Sequence, residues 1–159
     1  MKTPNDLKLP ACNGFALRQA TRCVSAVYER HIAKAGLTSS QFSILTALRN
    51  SPHIAIQDLA EHLVMERTSL VRSIQLLVRD GLVRQQPSPL HARKQVLSLS
   101  DAGAAKLIEA RVHWDAAQAE FEAAIGAEQA QALRAALFSL TRAFAGAVDD
   151  ESHKANDAA

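Results

Sequence analysis

Between residues 54 and 99 the hydrophobic period of this chain changes, and that change limits its possible folds more than any other feature. "IAIQDLAEHL" and "RTSLVRSIQLLVRD" repeat apolar residues at helical spacing, with Leu70, Ile74, Leu77 and Val78 on one face of the second run. Val64-Met65-Glu66 breaks the two runs apart, and Gly81 closes the second, as a left-handed residue commonly does. Beyond it, "LVRQQ" and "KQVLSLS" alternate as strands do, on either side of "PSPLHAR". Two helices at a tight turn, followed at once by a hairpin with its tip near Pro87 to Ala92, predict a mainly α chain with a small β-hairpin wing.

The flanking segments read as helices. Asn13 is a plausible N-cap for a helix to about Lys34, with Leu17, Ala20, Val24, Val27, Tyr28 and Ile32 on its apolar face. Thr38 caps "SSQFSILTALRN", which turns Phe42, Leu45 and Leu48 inward, and the third helix is expected over Ile54 to Leu63. A long Ala-rich helix follows from about Ala102 to Ile125, then a last one from Glu128 to Val148 with Leu133, Leu137, Leu140, Phe144 and Val148 in register. The first dozen residues read as a loose arm and "DDESHKANDAA" as a frayed tail. With no internal repeat or linker, residues 1–159 form one domain: a winged helix-turn-helix region over 38–101, and a helical region over 13–35 and 102–148.

A formal charge of +2 conceals a local excess. From Val64 to Gln95, six bases (Arg67, Arg72, Arg79, Arg84, Arg93, Lys94) face two acids, Glu66 and Asp80. From Asp115 onward eight acids face three bases. A basic middle points to an anionic partner at one place on the surface. No run of about 18 apolar residues and no signal-like N-terminus is present, so a soluble cytoplasmic protein is expected.

The polar face of the fourth helix suits double-stranded DNA. The second helix of such a pair enters the major groove with its N-terminal residues at the base edges. Arg67 and Arg72 can grip guanine O6 and N7, while Thr68 and Ser69 can bond bases or phosphates. Gln57, at the start of the preceding helix, is placed to meet a phosphate. Arg93 and Lys94 near the hairpin tip can reach the minor groove, whose negative potential attracts Arg. Nothing suggests an enzyme: the six histidines show no metal spacing, and there is no GxSxG or phosphate-cradling loop. No metal and no cofactor is expected. A helical protein-interaction adaptor would leave the arginines unexplained.

From about Phe15 to Leu140 the chain resembles the MarR family of bacterial transcription regulators. The resemblance is carried by "YERHIAKAGLT", "GLTSSQFSILTAL", "IQDLAEHLVMERTSLVRSIQLLVRDGLV" and "ARKQVLSLSDAG". It implies a sequence-specific regulator, typically a repressor, whose first and last two helices interlock in a homodimer on a palindromic operator. One departure stands in the wing. The family's Asp-x-Arg becomes His91-Ala92-Arg93, so a residue that repels Arg when protonated replaces the acid that orients it.

Dimerisation also follows from the residues. The last two helices are rich in Ala and carry Trp114, Phe121 and Phe144, more apolar surface than a small winged domain needs. The resemblance further implies a small aromatic or anionic effector, held between the dimer helices and the winged region. By position, Arg18, Arg22, His113 and Trp114 are its candidates, Arg for a carboxylate and Trp for a ring. Relatives that sense oxidation carry a reactive Cys immediately before Phe-Ala-Leu-Tyr. Here "CNGFALR" puts Gly14 at that position, displaces Cys12 by two residues and replaces the Tyr with Arg18. Cys12 and Cys23 are therefore the candidates for a thiol-based alternative. On one straight helix they would lie roughly 16 Å apart, too far for a disulfide.

Overall fold

The computed structural model describes residues 11–88 and 94–156, with side chains as far as residue 144. Among the described residues six α-helices and three short strands follow in chain order: α1 (Asn13–Ile32), a 3-10 turn (Ala33–Ala35), α2 (Ser39–Asn50), β1 (Ile54–Ala55), α3 (Ile56–Leu63), α4 (Arg67–Arg79), β2 (Val83–Pro87), β3 (Gln95–Leu99), α5 (Asp101–Ile125) and α6 (Ala127–Asn156). The strands form one antiparallel sheet in the order β1-β3-β2. Val83 pairs with Leu99 and Pro87 with Gln95 across the hairpin, while Ile54 and Ala55 pair with Leu97 and Val96.

That third strand corrects the expectation of a helix from Ile54. Ile54 and Ala55 are extended, and α3 starts only at Ile56 behind an N-cap, Ala55, that offers no side-chain oxygen. The free edge of β3 supplies a ladder for this dipeptide, and β-branched Ile54 suits a pleated surface better than a helix start. Two smaller corrections concern helix ends. Cys12, not Asn13, is the N-cap of α1, and its side chain makes no capping bond. The tail expected to fray is helical through Asn156, because Ala, Glu and Lys leave nothing between Asp149 and Asn156 to stop the helix.

Thr38 caps α2 as expected, in a reciprocal box with Gln41: the Gln41 N–H donates to Thr38 Oγ1 at 3.1 Å, and the Thr38 N–H to Gln41 Oε1 at 2.9 Å. The core joins α1, α2, α3, α4, α5 and the sheet. Its largest fully buried side chains are Ile32, Ile44, Leu45, Leu48, Leu59, Leu70, Ile74, Leu77 and Leu97. Of the apolar face expected on α1, only Ile32 is buried. On α6, Leu133, Leu137, Leu140 and Phe144 are exposed within the single chain, Phe144 by 61%. Among the described residues no helix is long and apolar enough to cross a membrane.

Ser100 anchors the wing to α5. Its hydroxyl donates to the Gly81 carbonyl at 2.6 Å and accepts from the Gly103 N–H at 2.9 Å, so one buried group ties the end of α4 to the start of α5.

Candidate nucleic-acid interface

The turn between α3 and α4 sets the direction of α4. Val64 N–H donates to the Glu61 carbonyl at 3.1 Å and Met65 N–H to that of Ala60 at 2.9 Å, the double bond pattern that ends a helix in a left-handed residue. That residue is Val64, with φ 50° and ψ 45°, a conformation that crowds a β-branched side chain. Met65 then returns to the core, and Glu66 opens α4.

Leu70, Ile74 and Leu77 hold α4 against the core, which leaves the opposite side in solvent. Arg67, Thr68, Ser69 and Arg72 are all exposed, and Gln75 and Arg79 continue the stripe at helical spacing. Ion pairing divides the bases of this region. Arg79 holds Asp80 at 3.0 Å and Arg84 holds Asp101 at 3.4 Å. Among the described residues Arg67, Arg72 and Lys94 are exposed and have no acidic partner.

Other expected contacts lie close by. Gln57 is exposed in the first turn of α3, where its amide nitrogen donates to Glu61 at 2.8 Å, using one of its two N–H donors. Lys94 is exposed at the start of β3, and its carbonyl accepts the Ser88 N–H at 2.7 Å. Arg93 and His91 lie outside the described residues, as does the hairpin tip from 89 to 93.

Glu66 was not singled out by the sequence. It caps α4 by accepting from the Thr68 N–H at 2.9 Å and the Ser69 N–H at 2.8 Å. The Thr68 N–H and then that of Ser69 hold this carboxyl down to about 2, helped by the two hydroxyls. Ser, Thr, Asp and Asn are the usual capping signals, so a Glu before an Arg-rich run does not announce itself.

Away from this face, a cleft of about 650 Å³ lies between α2, the end of α3 and α5. Phe42 and Trp114 stack along it with ring centroids 6.3 Å apart, and the Arg111 guanidinium sits 4.7 Å over the Trp114 ring. Arg49, His62 and Asn50 add polar groups to the same walls. Trp114 also borders a smaller cleft of about 370 Å³ with Tyr28, Phe121, Arg134 and Leu137. Of the four residues predicted for an effector, the structure brings only Trp114 to these clefts. Arg18 and Arg22 are exposed on α1, and His113, half-buried on α5, lines neither cleft. Arg49, His62 and Arg111 were missed; the Arg111–Trp114 spacing of one helical turn was the available signal. Cys12 and Cys23 are exposed free thiols at the start of α1 and along it.

A short helix, a tight turn, a longer helix with a cationic outer stripe and an adjoining three-stranded wing define a winged helix-turn-helix DNA-binding regulator. The chain belongs to the MarR family. The family model matches residues 35–94. The homoprotocatechuate degradative operon repressor of Escherichia coli is 30% identical over 119 residues, covering 75% of this chain and 80% of that protein. The transcriptional repressor CouR bound to a 23-mer DNA duplex superposes with a TM-score of 0.79 at 25% identity, over 89% of this chain and 99% of that one. CouR from Rhodococcus jostii RHA1 bound to p-coumaroyl-CoA shares the fold, with a TM-score of 0.71 at 20% identity over 83% and 93% of the two chains.

Proposed function

We propose that this protein is an effector-responsive repressor that binds a palindromic operator as a homodimer. The observation that carries the DNA reading is the outer stripe of α4, where Arg67 and Arg72 stand without acidic partners beside Thr68 and Ser69. Residues 38–101 are its DNA-binding region, with Gln57 and Lys94 on phosphates and Arg93 in the minor groove. Residues 13–35 and 102–148 are its dimerisation region. The exposed row Leu133, Leu137, Leu140 and Phe144 on α6 supports this, since so much apolar surface on one helix favours burial against a second copy.

The effector is an aromatic carboxylate, bound in the cleft between α2, α3 and α5. Trp114 and Phe42 offer a stacking wall, and Arg49, His62 and Arg111 offer a carboxylate partner. The name of one relative, a homoprotocatechuate degradative operon repressor, supports an aromatic acid. The test of the whole reading is fluorescence anisotropy of the protein on its own upstream intergenic DNA against a scrambled duplex in rising salt. Selective binding that falls steeply with salt is expected; equal weak binding to both duplexes, repeated in an unbiased selection from genomic fragments, would remove it.

A further inference from the structure

We infer that Glu66 reads the exocyclic amine of a cytosine in each half-site, so that an acid rather than a base sets specificity at the tip of α4. The inference rests on the DNA-binding reading above and deepens it. A helix N-terminus that meets DNA ordinarily presents free N–H groups to a phosphate. Here that role is blocked. The Thr68 and Ser69 N–H groups are already given to the two oxygens of Glu66, one to each, and the carboxylate opposes the positive end of the helix. A phosphate would meet an anion instead of donors, so the tip of α4 is built against backbone contact.

What it offers instead is acceptors. A carboxylate has about four lone-pair positions, and the two backbone bonds use only two. The Thr68 and Ser69 hydroxyls stand exposed in the same turn and add oxygens that can also accept. Glu66 itself is exposed at the N-cap, next to the first turn, the part of such a helix that meets base edges. In the major groove the matching donors are cytosine N4 and adenine N6. The neighbouring residue selects between them. Arg67, exposed and without an acidic partner among the described residues, suits the O6 and N7 of guanine. An acceptor and a guanidinium on successive residues match the two halves of one C·G pair.

The rigidity of the cap makes it a discriminating contact. Two backbone bonds fix the carboxylate, so it cannot turn away when a keto oxygen replaces the amine. Thymine, with O4 at the corresponding place, would set two acceptors against each other.

The experiment is binding-site selection with the full-length protein, followed by competition between duplexes that differ at single positions. The wild type is expected to select cytosine at one position per half-site and to bind the thymine-substituted duplex about tenfold more weakly. Glu66→Gln, which can still cap with its carbonyl oxygen, should lose that preference and move toward adenine, which a Gln amide fits in two bonds. Glu66→Ser, a better N-cap, should lose the preference with an unchanged thermal midpoint, which separates reading from folding. If both variants keep the cytosine and merely bind every duplex more tightly, Glu66 is only a cap and the inference is overturned. If the wild type selects no sequence at all, the DNA reading itself fails, an outcome distinct from the first.

Discussion

Gly103 lies against Leu82 so closely that no side chain fits between them. A Cβ at Gly103 would overlap the Leu82 carbonyl oxygen and stand 2.9 Å from the Leu99 Cδ1. Both obstacles belong to the wing, one of them main chain, so α5 seats on the hairpin through this contact and the Ser100 bonds beside it. In an open helix, Gly→Ala stabilises by about 1 kcal/mol. At this position the sign reverses: Gly103→Ala is expected to destabilise the fold by about 3 kcal/mol, because backbone must move to admit a methyl group. Urea denaturation checks it, and a neutral result would mean that α5 can slide on the wing.

Val64 predicts the opposite sign. It adopts φ 50° with its side chain 60% exposed, so little packing opposes a change. A left-handed non-glycine residue costs about 1–2 kcal/mol, and the greater freedom of unfolded glycine returns part of that. Val64→Gly should therefore raise stability by about 1 kcal/mol in thermal or urea unfolding. A loss of stability would show that the valine makes a contact worth more than its strain.

The period switch at Gly81 was sufficient to place α4 and the hairpin, because Leu70, Ile74 and Leu77 have one partner surface and no alternative face to bury. Legibility failed where a second element decides. Ile54 and Ala55 take their conformation from β3, more than 40 residues onward, which no local pattern encodes. The walls of the larger cleft were hidden for the same reason. Arg18 and Arg22 are conspicuous in the sequence, yet the cleft is assembled from Arg49, His62 and Arg111 on three separate helices. Glu66 was hidden by its identity: an acid inside a basic stretch reads as charge balance until its bonds to Thr68 and Ser69 are seen.

Acid should weaken the fold through two carboxylates. Glu66 and Glu120 both fall from 4.5 to about 2, the first through the Thr68 and Ser69 N–H groups and the second through Arg30 and then His31. Glu120 accepts from Arg30 at 2.5 Å and contacts His31 Nε2 at 2.7 Å, which joins α5 to α1. Carboxyls depressed on folding stabilise the native state above their unfolded value, and that contribution is lost as pH falls from about 4.5 toward 2. Stability measured across this window should drop, and less steeply in Glu66→Gln and Glu120→Gln. Parallel slopes in the wild type and both variants would exclude these groups as the source.

Arg72 and the wing bases should differ in kind. Arg72→Ala is expected to cost about 1–3 kcal/mol on the operator and to relax selection at one base pair per half-site. Arg93→Ala or Lys94→Ala should weaken every duplex about equally and lower the salt slope by about 1. Selection profiles and salt titrations of the variants separate these outcomes. A wing variant that altered one base preference would move that residue into direct readout.

The single tryptophan makes the proposed effector cleft directly observable. Trp114 stacks against the Phe42 ring and has the Arg111 guanidinium over its own ring, so an aromatic acid entering the cleft must change its surroundings. Titration with simple hydroxylated aromatic carboxylates should quench or shift its emission and release operator DNA over the same concentration range. Arg49→Ala and Arg111→Ala should each weaken that titration about tenfold, as loss of a charge-assisted bond does, with unliganded DNA binding unchanged. Arg18→Ala should leave it unaltered, since Arg18 is exposed on α1 and does not line the cleft. If Arg18→Ala abolishes the response while Arg49→Ala does not, the effector binds along α1 and the cleft beside Trp114 is not its site.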